Sequence, residues 1–323
     1  MMLAMGFSAH GHDVCVVTQT LGRLNSDLPF RVVRRPNPLE MLRLTRWSDA
    51  VFHNNISLQA AWPLLLVRRP WVVAHHAWIP KSGGLGGLKG RLKHALLHRA
   101  HCISVSNAIA AHISAPSTVI HNPYDDELFR LLDDIPREND LVFLGRLVSG
   151  KGVDVLLRAL HRLSTHSSKK LRLTIIGDGS EGDELRRLVA ELKLQSSVTF
   201  AGCLRGEHLV RELNAHTILV VPSQWEAFGI VALEGIACGC VVVASAGSGL
   251  VDAVGSCGLT FPNGDADALG VCLEALLENT NRVDELTKHA DGHLAKHKKK
   301  HVISSYLEVI ESAVMGNNNG LCG

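Results

Sequence analysis

Short β-branched apolar runs alternate with stretches of helical periodicity along most of the chain. Residues 1–11 read as the end of a helix, followed by strand candidates at 14–20, 30–34 and 49–53. A helix over 58–67 precedes PWVVAH (70–75), apolar enough for a strand covered on both faces. Residues 88–101 are helical, 102–106 a strand, 107–113 a helix opening and 118–121 a last short strand. The polar, acidic, proline-containing stretch 123–140 reads as a linker. Beyond it LVFLG starts a second series: helix 153–163, strand 171–177, helix 182–192, strand 198–202, helix 207–214, strand 217–223, an apolar helix, strand 241–245 and helix 266–277. Residues 289–301 are a basic polar stretch, 301–314 a final helix and 316–323 a disordered tail. Such alternation predicts an α/β chain with parallel sheets and helices on both faces.

One stretch carries the most chemistry, QWEAFGIVALEGIACG (224–239). It follows the strand run TILVVPS, so the unit is strand, loop, helix, with Gly229 at the turn. A helix N-terminus offers free N–H groups and partial positive charge, which suits a phosphate. Glu234 sits among Ile230, Val231, Ala232, Leu233, Ile236 and Ala237, on a helix apolar nearly all round, and should be buried. A buried carboxylate without partners costs roughly several kcal/mol. A sugar diol would satisfy it with two O–H donors; a nearby Arg or a neighbouring turn would serve as well.

Two glutamates separated as E-A-F-G-I-V-A-L-E (Glu226 and Glu234) resemble the motif of retaining glycosyltransferases of the GT-B fold, family 4, the glycosyl transferases group 1. The resemblance runs from about residue 11 to about residue 314. It implies two Rossmann-like domains facing a cleft: an acceptor-side domain at 1–122, a linker at 123–140, a nucleotide-sugar domain at 141–300 and a C-terminal helix at 301–315 crossing back. In that family a strand and a glycine-rich loop precede the first helix, so the first domain here is expected to lack its first strand, as in an N-terminally truncated member. The implied reaction moves a hexose, with retention, from a nucleotide diphospho-sugar to an unidentified acceptor: a polysaccharide, a lipid-linked sugar or a small molecule. The alternatives are an inactive nucleotide-sugar-binding remnant and a GT-B sugar-nucleotide epimerase. By the same resemblance Glu234 binds the ribose, Glu226 lies by the donor sugar or its phosphates, and Phe228, Gly229 and Ile230 give backbone N–H groups to the diphosphate.

Other motifs extend this site. Gly145-Arg146 closes the LVFLG strand, and Ser149-Gly150-Lys151-Gly152 turns into the next helix. Two cations at the carboxyl end of a parallel strand lie where open α/β sheets bind ligands, though exposed Arg and Lys are also ordinary solvated residues. The resemblance has Arg146 and Lys151 stabilise the departing diphosphate, so no metal or other cofactor is required. Gly177 and Gly202-Cys203-Leu204 end further strands and are implied pocket walls. His76, after PWVVAH, resembles the family histidine near the reacting sugar, with His75 as a competing candidate. Asp265-Ala266-Asp267 spells a metal-binding D-x-D, but before a helix it reads as a cap. Residues 248–252 (SGLVD) read as structural.

Composition narrows the class. Lys plus Arg number 33 against 31 Asp plus Glu, which argues against a nucleic-acid binder. The eight cysteines form no CxxC pair and mostly lie in apolar runs, as buried thiols in a reducing cytosol would. No apolar run reaches the roughly 18 residues of a membrane span, and no leader peptide is legible, so a cytoplasmic location is expected. The helix near 88–101 is basic, with leucines at i, i+4 and i+8; its apolar side either packs into the core or meets the inner membrane surface.

Overall fold

In the computed structural model the residues described are 1–22, 27–79, 85–166 and 171–319. Twelve parallel-paired strands are present among them. In the first half these are β1 (Cys15–Thr18), β2 (Arg31–Arg34), β3 (Val51–Asn54), β4 (Trp71–His75), β5 (His101–Ser104) and β6 (Ser117–Val119). In the second they are β7 (Asn139–Leu144), β8 (Leu173–Ile176), β9 (Val198–Gly202), β10 (His216–Val221), β11 (Val241–Ser245) and β12 (Gly258–Phe261). They form a two-stranded sheet β1-β2, a four-stranded sheet β3-β4-β5-β6 and a six-stranded sheet β12-β11-β10-β7-β8-β9. The chain divides into two compact units, residues 1–120 with the segment from 299 onward, and residues 121–298.

The larger unit is built on strands that read as continuous apolar runs. β8 and β11 are buried at every position, as strands covered on both faces must be. The helix Val153–His166 shows the complementary pattern: Leu156, Leu157, Leu160 and Leu163 enter the core while Asp154 and Arg158 face water. In the smaller unit β4 is the fully buried strand. The last helix belongs to this unit, where Ile303, Tyr306 and Leu307 pack with Phe7, Val72 and Ile103. It approaches the helix Met2–Ala9 at Gly6, where a Cβ would lie 2.5 Å from Ile303 Cδ1.

Several boundaries differ from the sequence reading. The stretch expected to link the domains is packed onto the second unit. Tyr124 and Phe129 are buried, Leu132 N donates to Asn214 Oδ1 (2.8 Å), and the Arg137 guanidinium donates to the His216 carbonyl and to the Cys238 carbonyl (2.6 Å). The last helix runs Lys299–Asn319, so residues 316–319 are helical rather than part of a tail; residues 320–323 lie outside the described residues. The basic polar stretch 289–301 contains the helix Ala290–Ala295 and a buried His297. The helices Leu250–Val254 and Thr280–Thr287 and the edge strand β12 are further elements that periodicity did not reveal. No described helix is long and apolar enough to cross a membrane.

Arg137 fastens the 121–138 segment through two carbonyls at once. Arg137→Ala should cost about 2–3 kcal/mol of stability, measured as a lower urea midpoint, because buried acceptors lose a charged donor. A loss no larger than that of the exposed control Arg187→Ala would show the clamp to be idle.

Candidate functional site

In the six-stranded sheet β8 and β9 lie on one side of β7, and β10, β11 and β12 on the other. Winding reverses between β7 and β10, so the loops leaving these neighbours separate and open a crevice at the carboxyl edge, where α/β sheets bind ligands. The two loops are fastened at their base. Gln224 N donates to Gly150 O (2.7 Å), and a Cβ on Gly152 (φ +69°) would lie 2.1 Å from Pro222 O. Only glycine permits that approach. Above it the Lys151 ammonium donates to the Glu226 carboxylate, joining the β7 loop to the β10 loop.

The neighbouring strand ends line up on the same edge. Gly145 N donates to Ile176 O (3.0 Å) and Gly177 N to Gly202 O (2.8 Å). A Cβ on Gly177 (φ +137°) would lie 1.8 Å from Gly145 O. Arg146 is exposed beside them and has no ion pair among the described residues. Leu204 is half-buried just past β9.

On the β10 side the chain enters the helix Ile230–Ala237 through Gly229, at φ +100° and packed so that a Cβ would lie 2.4 Å from Leu250 Cδ2. The opening N–H groups of this helix lack intrahelical acceptors. Within the helix, Glu234 is half-buried, with its carboxylate free of cation and hydrogen-bond partners among the described residues. The Arg partner and the turn cap weighed from sequence are thus absent there. Burial, with a smaller contribution from Asp125, pushes the carboxyl up to about 7. One edge of the second unit therefore gathers Gly145, Arg146, Lys151, Gly177, Gly202, Leu204, Glu226, Phe228, Gly229, Ile230 and Glu234.

A family model for the glycosyl transferases group 1 matches residues 126–293. The chain belongs to the glycosyl transferases group 1 family. Among curated relatives, D-inositol 3-phosphate glycosyltransferase from Acidothermus cellulolyticus is 35% identical over 208 residues, 61% of this chain and 46% of that protein. The enzyme of that name from Corynebacterium jeikeium is 40% identical over 166 residues, 48% of this chain and 39% of that protein. The chain spans about half the length of the curated relatives it matches. Among solved structures, sucrose-phosphate synthase from Thermosynechococcus elongatus superposes with TM-score 0.78 at 21% identity, over 97% of this chain and 92% of that one. Anabaena HepE in complex with UDP and glucose superposes with TM-score 0.77 at 19% identity, over 96% and 95%. These likenesses establish the GT-B fold: α/β, with two Rossmann-like parallel-sheet units.

Other candidates in this group 1 chain are placed as follows. His76 is in the first unit at the carboxyl end of β4, its N–H donating to Asn55 Oδ1 (2.8 Å). Its neighbour His75 is fully buried and is held neutral, its pKa lowered to about 4 chiefly by burial and then by His76 and His94. Asp265 caps the helix Ala266–Leu277, accepting from Asp267 N (3.0 Å) and Ala268 N (2.9 Å).

Sequence reasoning missed the support behind Phe228. Its buried ring stacks on His121 (5.4 Å) and packs against His297 (5.5 Å); His121 and His297 stack on each other, and His293 packs on His297 at 4.8 Å. Asp252 lies 3.9 Å from His121 Nε2. Histidines scattered over 121, 293 and 297 carry no spacing signal that could have found them. His297 Nδ1 pairs with Asn122 O (3.1 Å), so this nitrogen carries the proton of the neutral ring. Burial, chiefly, lowers its pKa to about 4, while that hydrogen bond opposes the shift. The folded state therefore binds fewer protons than the unfolded state below about pH 6.5, and the stability present above that value is lost as pH falls toward 4. Unfolding free energies from urea titrations should fall between about pH 7.5 and pH 5, and His297→Phe should shrink that fall by on the order of 2 kcal/mol. An undiminished slope in the variant would remove His297 from the acid response.

Proposed function

We propose that this group 1 glycosyltransferase binds a nucleotide diphospho-sugar on its second unit and transfers the hexose to an acceptor hydroxyl with retention of anomeric configuration. The observation carrying this reading is the Glu234 carboxyl, half-buried and unpartnered one turn inside the helix that Gly229 opens. A ribose diol supplies the two donors that such a group lacks. The diphosphate then falls to the opening N–H groups at Phe228, Gly229 and Ile230 and to Arg146 and Lys151. Structures of HepE in complex with UDP and glucose and with UDP-glucose, of the same fold, support a nucleotide-sugar donor. The name D-inositol 3-phosphate glycosyltransferase favours a small hydroxylated acceptor.

The chemistry follows from charge. The bond between the anomeric carbon and the distal phosphate oxygen breaks, and negative charge grows on the departing diphosphate. Arg146 offers a planar fork of donors and Lys151 a compact charge, so the pair takes the place of a divalent metal ion. Glu226 holds the Lys151 ammonium until the more highly charged diphosphate competes for it. With attack on the face that the phosphate leaves, the departing oxygen accepts the acceptor's proton, and the atoms balance as nucleoside diphosphate and glycoside.

Glu234→Ala and Lys151→Ala should each weaken binding of the preferred nucleotide sugar by at least about tenfold, or 1.4 kcal/mol, in calorimetric titrations of a UDP-, GDP- and ADP-sugar panel. Unchanged titrations for both variants would eliminate this site. Binding without product formation would leave the chain a nucleotide-sugar binder, and an inverted anomeric centre in the product would end the retaining reading. Glu234 also sets a pH signature. The carboxylate, not the carboxylic acid, accepts both ribose hydroxyls, so nucleotide affinity should rise as Glu234 ionises through about pH 7 and level off above it. The Glu234→Gln variant should bind more weakly with a flat profile, and equal slopes in both proteins would assign the pH dependence elsewhere.

A further inference from the structure

We infer that the outer face of the helix Leu85–Leu97 in the first unit docks on an anionic lipid bilayer. The spacing of its leucines suits either a core-facing or an outward-facing helix, and the burial pattern decides between them. Leu88 is 67% exposed and Leu92 51% exposed, whereas Gly87, Gly90 and Leu97 are buried. The helix packs into the core of its own unit through Leu97 and, in part, Leu96, and presents two of its leucines to solvent.

The order of side chains around the helix fits a lipid boundary. At about 100° per residue, Leu88, Leu92 and Ala95 fall within roughly 60° of one another. Arg91 lies about 60° to one side of Leu88 and Lys89 about 100° to the other. An apolar centre flanked by long cationic side chains lets the leucines enter the acyl boundary while the charges reach phosphates at headgroup level. Lys89, Arg91, Lys93 and Arg99 have no ion pairs among the described residues.

The surrounding sequence removes competing charge. No Asp or Glu occurs between Asp49 and Asp125, an interval that carries Arg68, Arg69, Lys81, Lys89, Arg91, Lys93 and Arg99. The rest of the chain restores near balance, 33 basic against 31 acidic residues overall. On the helix and just past its end the fixed charges, Lys89, Arg91, Lys93 and Arg99, are all cationic. A second copy of the same face would set like charges together, and leucines have no role on a phosphate backbone. An anionic bilayer answers both features.

Co-sedimentation with phosphatidylcholine vesicles, with and without phosphatidylglycerol, tests this directly. The wild-type chain should pellet with anionic vesicles, less so as salt is raised, and stay in solution with neutral ones. Leu88→Ser/Leu92→Ser should lower partitioning at least about tenfold with an unchanged urea midpoint, since both residues are exposed. Lys89→Gln/Arg91→Gln should weaken binding and remove most of its salt dependence. Four outcomes overturn the inference: no binding to anionic vesicles; equal binding to neutral ones; an unchanged double-serine variant; or a dimer in solution that the double-serine change dissolves. Tight binding of duplex RNA that ignores the leucine changes would replace lipid with nucleic acid. None of these readouts depends on nucleotide-sugar binding, so failure here leaves the donor site untouched.

Discussion

The candidate site edge of this chain rests on the pairing of two parallel strands, β7 and β10. Their register aligns Leu141 with Ile218 and Val142 with Leu219, all buried. Because β7 sends its next partner to one side and receives β10 on the other, the two exits diverge without any special loop. The sequence then adds what keeps the crevice narrow. Gly152 lets the β7 loop touch the Pro222 carbonyl, and a backbone hydrogen bond from Gln224 to Gly150 ties the loops together. Lys151 and Glu226 inherit their positions from that contact, so their pairing follows from backbone packing.

Charge at this edge is nearly balanced without ligand. Of Arg146, Lys151, Glu226 and Glu234, only Lys151 and Glu226 form an ion pair among the described residues. Glu234 could have been neutralised by an arginine. Such a pair would be a second salt bridge, in addition to Lys151–Glu226, for a ligand to displace. Leaving the carboxyl alone costs less, because it is only half-buried and can hold a proton near neutral pH. A half-buried carboxyl with no partner among the described residues is a poor stabilising device, and that is the physical reason to read this edge as a candidate binding site.

The sequence was most informative where one physical effect dominates. β8, β10 and β11 were legible because strands covered on both faces read as near-continuous apolar runs. The Glu234 anomaly was legible because a charged residue in an all-apolar helix has few explanations. What escaped notice depends on tertiary packing. β12 is an edge strand opening with Gly258 and only partly buried, so it carries little β-branched signal. The 121–138 segment has a polar composition, yet Arg137, Tyr124 and Phe129 bind it to the second unit through contacts distant in sequence. On the helix Leu85–Leu97, spacing showed that the leucines share a face. Whether that face turns inward is answered by burial: Leu88 and Leu92 are exposed, while Leu97 is buried in the core of the first unit.

The loop before Gly229 shows how remote segments support the site. Phe228 is gripped by a ring from the start of the second unit, His121, and by one from its end, His297. His297 in turn reaches Asn122 O, and His293 reaches Ala253 O within the helix that crowds Gly229. These contacts close a circuit from residue 121 through 228 and 253 to 297. Each histidine in it must stay neutral to remain packed, for His121, His293 and His297 all have pKa values lowered chiefly by burial. The helix that carries Glu234 is therefore pre-positioned by apolar ring packing, which needs no bound anion. Charge introduced into that packing by acid would loosen the loop without touching Arg146, Lys151 or Glu226, so the site can lose its geometry while every charged group on its edge is still present.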